Sequence, residues 1–156
     1  MTGFAAADRA WMEQALACAR AAEAAGEVPV GAVIVDGEGV VLAEASNAPI
    51  GSNDPTAHAE ILALREAGRR RANYRLPDCR LFVTLEPCPM CTSALVHARV
   101  AEIVYAAADL RTGACGSVFD LASDEALNHR IEVRGGLMAD ESAALLRAFF
   151  GARRFR

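Results

Sequence analysis

Lysine is absent from this sequence: all 16 of its cationic residues are Arg. In a chain this rich in Ala, such usage is the kind a GC-rich genome produces, so Arg in place of Lys carries no functional message by itself. Also missing is any apolar run of the ~20 residues that a bilayer crossing needs, so no membrane helix is expected. The first residues, Met1-Thr-Gly-Phe-Ala-Ala-Ala-Asp8, have neither a basic start nor a clean hydrophobic stretch, and no signal peptide is expected. The five Cys residues are odd in number and show no secreted-type disulfide framework. Together these absences predict a cytoplasmic protein. A net charge of −4 excludes a protein that coats nucleic acid by bulk charge. Acids are missing locally, however: the last ten residues hold Arg147, Arg153, Arg154 and Arg156 with no Asp or Glu.

A length of 156 residues at 53% hydrophobic composition supplies one core but not two, so residues 1–156 read as a single domain. Ala10–Ala25 is predicted as an amphipathic helix, with Trp11, Ala15, Cys18, Ala22 and Ala25 on one stripe and Gly26 ending it. Pro29–Val35 and Val40–Leu42 read as strands of a hairpin turning at Asp36-Gly37. Asn47–Pro55 is a loop rich in Asn, Pro, Gly and Ser. Thr56 is expected to cap a helix from Ala57 to about Ala67 that turns Ile61, Leu62 and Leu64 inward. Leu81–Leu85 reads as a central strand, and Pro89–Ala98 as a helix with Pro in its first turn. Ala101–Ala106 is a further strand, Thr112–Gly116 a loop, Asn128–Val133 the site of a short last strand, and Asp140–Arg154 a final helix. Cys18 and Cys79 are expected to be buried. Helices alternate with strands after the opening hairpin. This predicts an α/β fold: a three-layer α/β/α sandwich on a mixed central sheet.

The chemistry lies in His58-Ala-Glu60 and Pro87-Cys-Pro-Met-Cys91. His58, Cys88 and Cys91 supply three ligands for Zn2+. A catalytic zinc site keeps three protein ligands and leaves the fourth tetrahedral position to water, whereas a structural site closes with four. Cys88 and Cys91 are three apart and share a face of a first helical turn, where the helix N-terminus favours thiolate. His58 and Glu60 would stand about 200° apart on a regular helix, so they converge only where the helix begins. The helix and strand between His58 and Cys88 are long enough to bring both helix N-termini to one sheet edge. Glu60 is then placed to move the water's protons. A CxxC alone also reads as a redox pair or as half of a structural zinc site. The first has no use for His-x-Glu, and the second needs another ligand pair. His97 reads as a structural or capping residue; His129 and Cys115 are unassigned. The whole points to one Zn2+ per subunit and hydrolytic deamination of a nucleobase.

The H-x-E and P-C-x-x-C pair is the established signature of zinc nucleobase deaminases, those acting on tRNA among them. Beyond it stand Glu27-Val-Pro-Val-Gly-Ala-Val33, Asp54-Pro-Thr-Ala-His-Ala-Glu60, Asn73-Tyr-Arg75, Val83-Thr-Leu-Glu-Pro-Cys88, Asp109 with Thr112-Gly113, Asn128-His-Arg130 and Phe149-Phe150. Across these segments the sequence resembles the bacterial tRNA-specific adenosine deaminases, which convert wobble adenosine to inosine. The resemblance implies a cytidine-deaminase-like fold, a homodimer, and a tRNA anticodon stem-loop as partner, with an ACG anticodon of the tRNA-Arg type. It makes His58, Cys88 and Cys91 the zinc ligands and Glu60 the proton shuttle. Asn47 becomes a contact to the target nucleoside, although its Asn-Ala-Pro loop gives it an equally good turn-forming role. Asp109 becomes a contact to the anticodon loop; alone it reads as a strand-end cap. Phe149, Arg153 and Arg154 become tRNA contacts; alone they read as a core residue and two solvated ones. Ala48 and Ala108 stand where members of the family often carry Arg, and Ser46 where an aromatic occurs.

Two rival readings share parts of this pattern. A free nucleobase or nucleoside deaminase, of guanine for example, uses the same metal chemistry but has no need of the basic tail. A catalytically inert zinc-binding partner subunit would be expected to lose the shuttle carboxylate, and Glu60 is present.

Overall fold

A computed structural model of the chain describes residues 3–153. The first helix, α1 (Ala6–Ala24), begins a turn earlier than its periodicity suggests. The Asp8 carboxylate reaches back to accept the Ala5 N–H at 3.1 Å and closes that first turn. The stripe it buries is Met12, Ala15, Leu16, Ala19 and Ala22. This stripe is rotated from the expected one: Trp11 and Cys18 are half-buried and Ala25 is exposed. The rotation follows from a close approach to the sheet. A Cβ on Gly31 would lie 2.0 Å from the Ala15 carbonyl oxygen, so only Ala-sized residues and Gly fit that contact.

Strands β1 (Gly31–Val35) and β2 (Val41–Ser46) form the expected hairpin. Its turn is held by Asp36, whose Oδ1 accepts the N–H groups of Glu38 and Val40 at 2.9 Å each. A one-turn helix, α2 (Pro49–Ser52), follows within the stretch read as loop. The remaining elements are α3 (Ala59–Arg71), β3 (Arg80–Leu85), α4 (Pro89–His97), β4 (Glu102–Ala107), β5 (Glu132–Gly135) and α5 (Ala139–Arg153). The last strand therefore starts later than Asn128, because His129 is turned aside to the Val100 carbonyl at 2.8 Å.

The sheet order is β2-β1-β3-β4-β5. β1 runs antiparallel to both neighbours, and β3, β4 and β5 run parallel. Strand alternation divides the core in two. Ala32, Ile34, Leu81, Val83 and Ile103 face α3 and α4. Val33, Val35, Phe82, Val104 and Ala106 face α1 and α5. This is the three-layer α/β/α sandwich on a mixed sheet that the sequence predicts. The inward face of α3 differs from expectation: Ala59, Ala63 and Ala67 are buried with Ile61, whereas Leu62 and Leu64 are half-buried. Cys79 is buried as expected; Cys18 is not fully so.

This topology has one consequence for function. The C-terminal ends of β2, β3 and β4 and the start of β1 lie along the same sheet edge, as the pairs Gly31 with Ser46 and Leu85 with Ala107 show. Parallel α/β sheets place their sites on such an edge. The opposite edge is closed by ions: Asp8 and Glu102 pair with Arg80 and Arg134. Among the described residues no helix is long and apolar enough to cross a membrane.

Candidate active site

Two helices begin at the functional edge, and each begins on a metal-ligand type of residue. His58 is the N-cap of α3, with φ −69° and ψ 151°. Cys88 is the N-cap of α4, with φ −75° and ψ 174°. Both are extended, and neither spends its side chain on capping its own helix. The expected cap is thereby corrected: Thr56 does not cap the helix, because its N–H and hydroxyl are both taken by Asp54 Oδ1 at 2.9 and 2.7 Å. The helix starts two residues later than predicted. His58 thus stands off the helical cylinder while Glu60 sits in its first turn, which resolves their spacing.

His58 Nδ1 lies 3.7 Å from Cys88 Sγ and 3.4 Å from Cys91 Sγ. The three donor atoms fall within 4.8 Å of one another. A tetrahedral zinc with Zn–N near 2.0 Å and Zn–S near 2.3 Å requires N···S separations of about 3.5 Å. The observed pair brackets that value, so the site fits the ion without rearrangement. Its charge pattern points the same way. Cys88 is pulled down to about 4, chiefly by a hydrogen bond from the Cys91 thiol and further by His58. Cys91 is driven far upward by the neighbouring Cys88 sulfur and by burial. Two sulfurs so placed cannot both be thiolates without a cation between them, and a divalent ion supplies it. The convergent N-termini of α3 and α4 add positive potential at the same point.

Glu60 is buried. Burial pushes its carboxyl upward, against the opposing pull of its own backbone N–H and of His58. A carboxyl poised in this way can both take and give a proton.

Two loops flank the cluster. Asn47 is buried, and its Nδ2 donates to the Val28 carbonyl at 3.3 Å. The following turn, α2, is held by Glu27, which accepts the N–H groups of Ile50 and Gly51 at 3.1 and 2.7 Å. On the other side, the Asp109 carboxylate accepts the N–H groups of Arg111 and Thr112 at 2.9 and 3.2 Å, so it caps its own turn. Glu86, fully buried, accepts from the backbone of Asp109, Cys115 and Ser117. Sequence reasoning assigned no role to Glu27 or Glu86. Their partners are backbone N–H groups 23 to 31 positions away, which no local pattern reveals.

α5 runs along the same edge. The Ser142 hydroxyl donates to the Thr84 carbonyl near its start, and Arg153 donates to the Gly26 carbonyl at 2.8 Å at its end. Phe149 is buried, and the Arg153 guanidinium lies 4.0 Å over its ring. Arg154 lies outside the described residues. The His residues left out of the metal cluster stay outside it: His97 is exposed at the end of α4, and His129 binds Val100. Cys115 is buried beside Thr92, and burial pushes its thiol up to about 12.

Residues 5–107 match the family described as the cytidine and deoxycytidylate deaminase zinc-binding region. A tRNA-specific adenosine deaminase of Haemophilus influenzae is 47% identical over 147 residues, 94% of this chain and 85% of the relative. The chain belongs to this zinc deaminase family, in its tRNA-specific adenosine deaminase branch. A solved structure from work on A-to-I editing by tRNA:A34 deaminases has a TM-score of 0.85 at 42% identity, covering 88% of this chain and 99% of that one. A guanine deaminase from Nitrosomonas europaea shares the fold at a TM-score of 0.77 and 28% identity, over 97% of this chain and 87% of the other. The site of the chain is accordingly a zinc site, with His58, Cys88 and Cys91 the only such cluster among its described residues.

Proposed function

We propose that the protein hydrolyses adenosine to inosine at the wobble position of a tRNA with an ACG anticodon, releasing ammonia. The observation that carries this reading is the meeting of His58, Cys88 and Cys91 at two helix N-termini with buried Glu60 beside them. The likeness to tRNA-specific adenosine deaminases supports the choice of substrate.

Zn2+ bound to His58, Cys88 and Cys91 would acidify a water toward a pKa of about 7. Glu60, buried beside these ligands, would take a proton from the water that attacks C6 of the adenine. It would pass that proton to the ring nitrogen, then carry the proton left on the new C6 hydroxyl to the amino group, which leaves as ammonia as the C6 carbonyl forms. Burial keeps Glu60 from losing its protons to bulk solvent. Asn47, oriented by the Val28 carbonyl, offers its amide oxygen to the nucleoside. Asp109, Phe149, Arg153 and Arg154 serve the anticodon stem-loop, where the target base is already unpaired and costs little to splay out. Arg153 rests on the buried Phe149 ring, which holds its guanidinium at the end of α5, where it can meet a phosphate.

In this reading residues 1–156 form one domain, a homodimer working in the cytoplasm. The open groove between α3 and α4, lined by Leu64, Leu76, Ala94 and Ala98 beside exposed Tyr74, is the apolar face that supports association. Substrate choice is tested by offering the zinc-loaded protein a tRNA with an ACG anticodon, free adenosine, cytidine and guanine in parallel. Inosine in the tRNA alone is expected. Conversion of guanine with the tRNA untouched would transfer the assignment to the free-base deaminases.

A further inference from the structure

We propose that Glu86 is a positioning residue that sets the substrate loop 109–117 against the metal-bearing start of α4; the proposal rests on the RNA reading above. Glu86 is 1% exposed, and both its oxygens are fully used. Oε1 accepts the Asp109 N–H at 3.1 Å and the Ser117 hydroxyl. Oε2 accepts the N–H groups of Cys115 and Ser117 at 3.0 and 3.1 Å. All four donors belong to one loop. The loop lies so close that a Cβ on Gly113 would meet the Glu86 carboxyl carbon at 2.4 Å, so no larger residue fits there.

The other connections of Glu86 run to the metal site. Its own N–H continues the sheet to the Ala107 carbonyl at 2.8 Å. Pro87 and Cys88 follow directly, and the Pro87 carbonyl accepts the Ala114 N–H at 2.8 Å. The end of β3, the start of α4 and the loop are therefore joined at one residue. The loop carries Asp109 and the exposed side chain of Leu110, and runs on into exposed Val118 and Phe119. A buried carboxylate is a costly way to close a loop if closure alone is needed, since apolar packing does it without desolvating a charge. What it adds is direction: three backbone N–H groups and a hydroxyl are fixed relative to two oxygens. The distance from loop to Cys88 is thereby set before RNA arrives.

Glu86→Gln preserves shape but gives the side chain an NH2 group facing N–H donors, so at least one of its two ends must lose its partners. Ser117→Ala, a milder change, removes the one bond that the Ser117 hydroxyl donates to Glu86 and leaves the rest. Metal content, amide exchange of Asp109, Cys115 and Ser117, and KM and kcat on an anticodon stem-loop are measured for both. The expected result for Glu86→Gln is one zinc per chain, faster exchange at those amides, and a KM raised about tenfold or more while kcat changes far less. Ser117→Ala should move KM the same way by a smaller factor, and decides the matter if Glu86→Gln does not fold. An unchanged KM in a zinc-replete, folded variant would overturn the proposal, as would a fall in melting temperature alone. If wild type does not deaminate the stem-loop, the RNA reading fails by itself. The exchange rates still decide whether Glu86 anchors the loop.

Discussion

His58 Nδ1 and Cys91 Sγ lie 3.4 Å apart although 33 positions separate them, one from the N-cap of α3 and the other from the first turn of α4. That contact is what the intervening α3–β3 unit achieves, and a zinc held by these residues would link α3 to α4. Cys91→Ala or Cys88→Ala should therefore lose the zinc and lower the melting temperature, because zinc binding is coupled to the fold. Metal analysis and thermal unfolding on the same samples check this. A stoichiometric zinc retained in Cys88→Ala would contradict the ligand assignment.

Gly31→Ala tests how closely α1 lies on the sheet. The new Cβ would meet backbone atoms of Ala15 and Ala19 at 2.0 and 2.6 Å, and backbone cannot rotate away. The expected loss is about 1–3 kcal/mol, or roughly 2–4 °C in Tm for each kcal/mol. Wild-type stability on chemical denaturation would show that the helix sits further from β1.

Acid stability should depend on Asp8. Burial pushes its carboxyl upward, but the Ala5 N–H and the guanidinium groups of Arg80 and Arg134 outweigh burial and hold it below the usual value. A carboxyl lowered in the folded state gives its full stabilisation above the unfolded pKa of about 3.9 and loses it as pH falls through the folded value. Asp8→Asn should cost about 1.5–3 kcal/mol at neutral pH and flatten the loss of stability below pH ~4. Equal pH profiles for both proteins would remove Asp8 from the acid response.

The metal site was legible in the sequence because its information is local. His58 and Glu60, like Cys88 and Cys91, sit within one turn of a helix start, and the four residues together leave few chemistries open. The sandwich was legible from the apolar run of Val33, Ile34 and Val35 and from the parallel βα spacing. What failed has a common physical cause: competition from other partners. Thr56 had the right chemistry for a cap, but Asp54 captures it. The face of α1 was displaced because Gly31 admits Ala15 and Ala19. Glu27 and Glu86 were silent because a carboxylate that binds distant backbone looks, in sequence, like any surface acid.

The basic end of α5 makes a prediction about RNA. Arg153→Glu should weaken binding of an anticodon stem-loop and reduce the log–log salt slope by roughly 0.7–0.9 for each phosphate no longer neutralised. Zinc content should stay unchanged, because Arg153 binds the Gly26 carbonyl and Phe149 rather than the metal cluster. A salt titration of affinity separates this from a merely solvated helix end, for which neither affinity nor slope would move.

The role of Glu60 is tested most directly by one preparation of Glu60→Gln assayed for both metal and product. The variant should hold one zinc per chain, bind the stem-loop as wild type does, and form inosine about 10²–10⁴-fold more slowly, the usual contribution of a positioned acid–base group. Near-normal inosine formation by the zinc-replete variant would contradict the account, because proton transfer would then proceed without the buried carboxylate beside the metal.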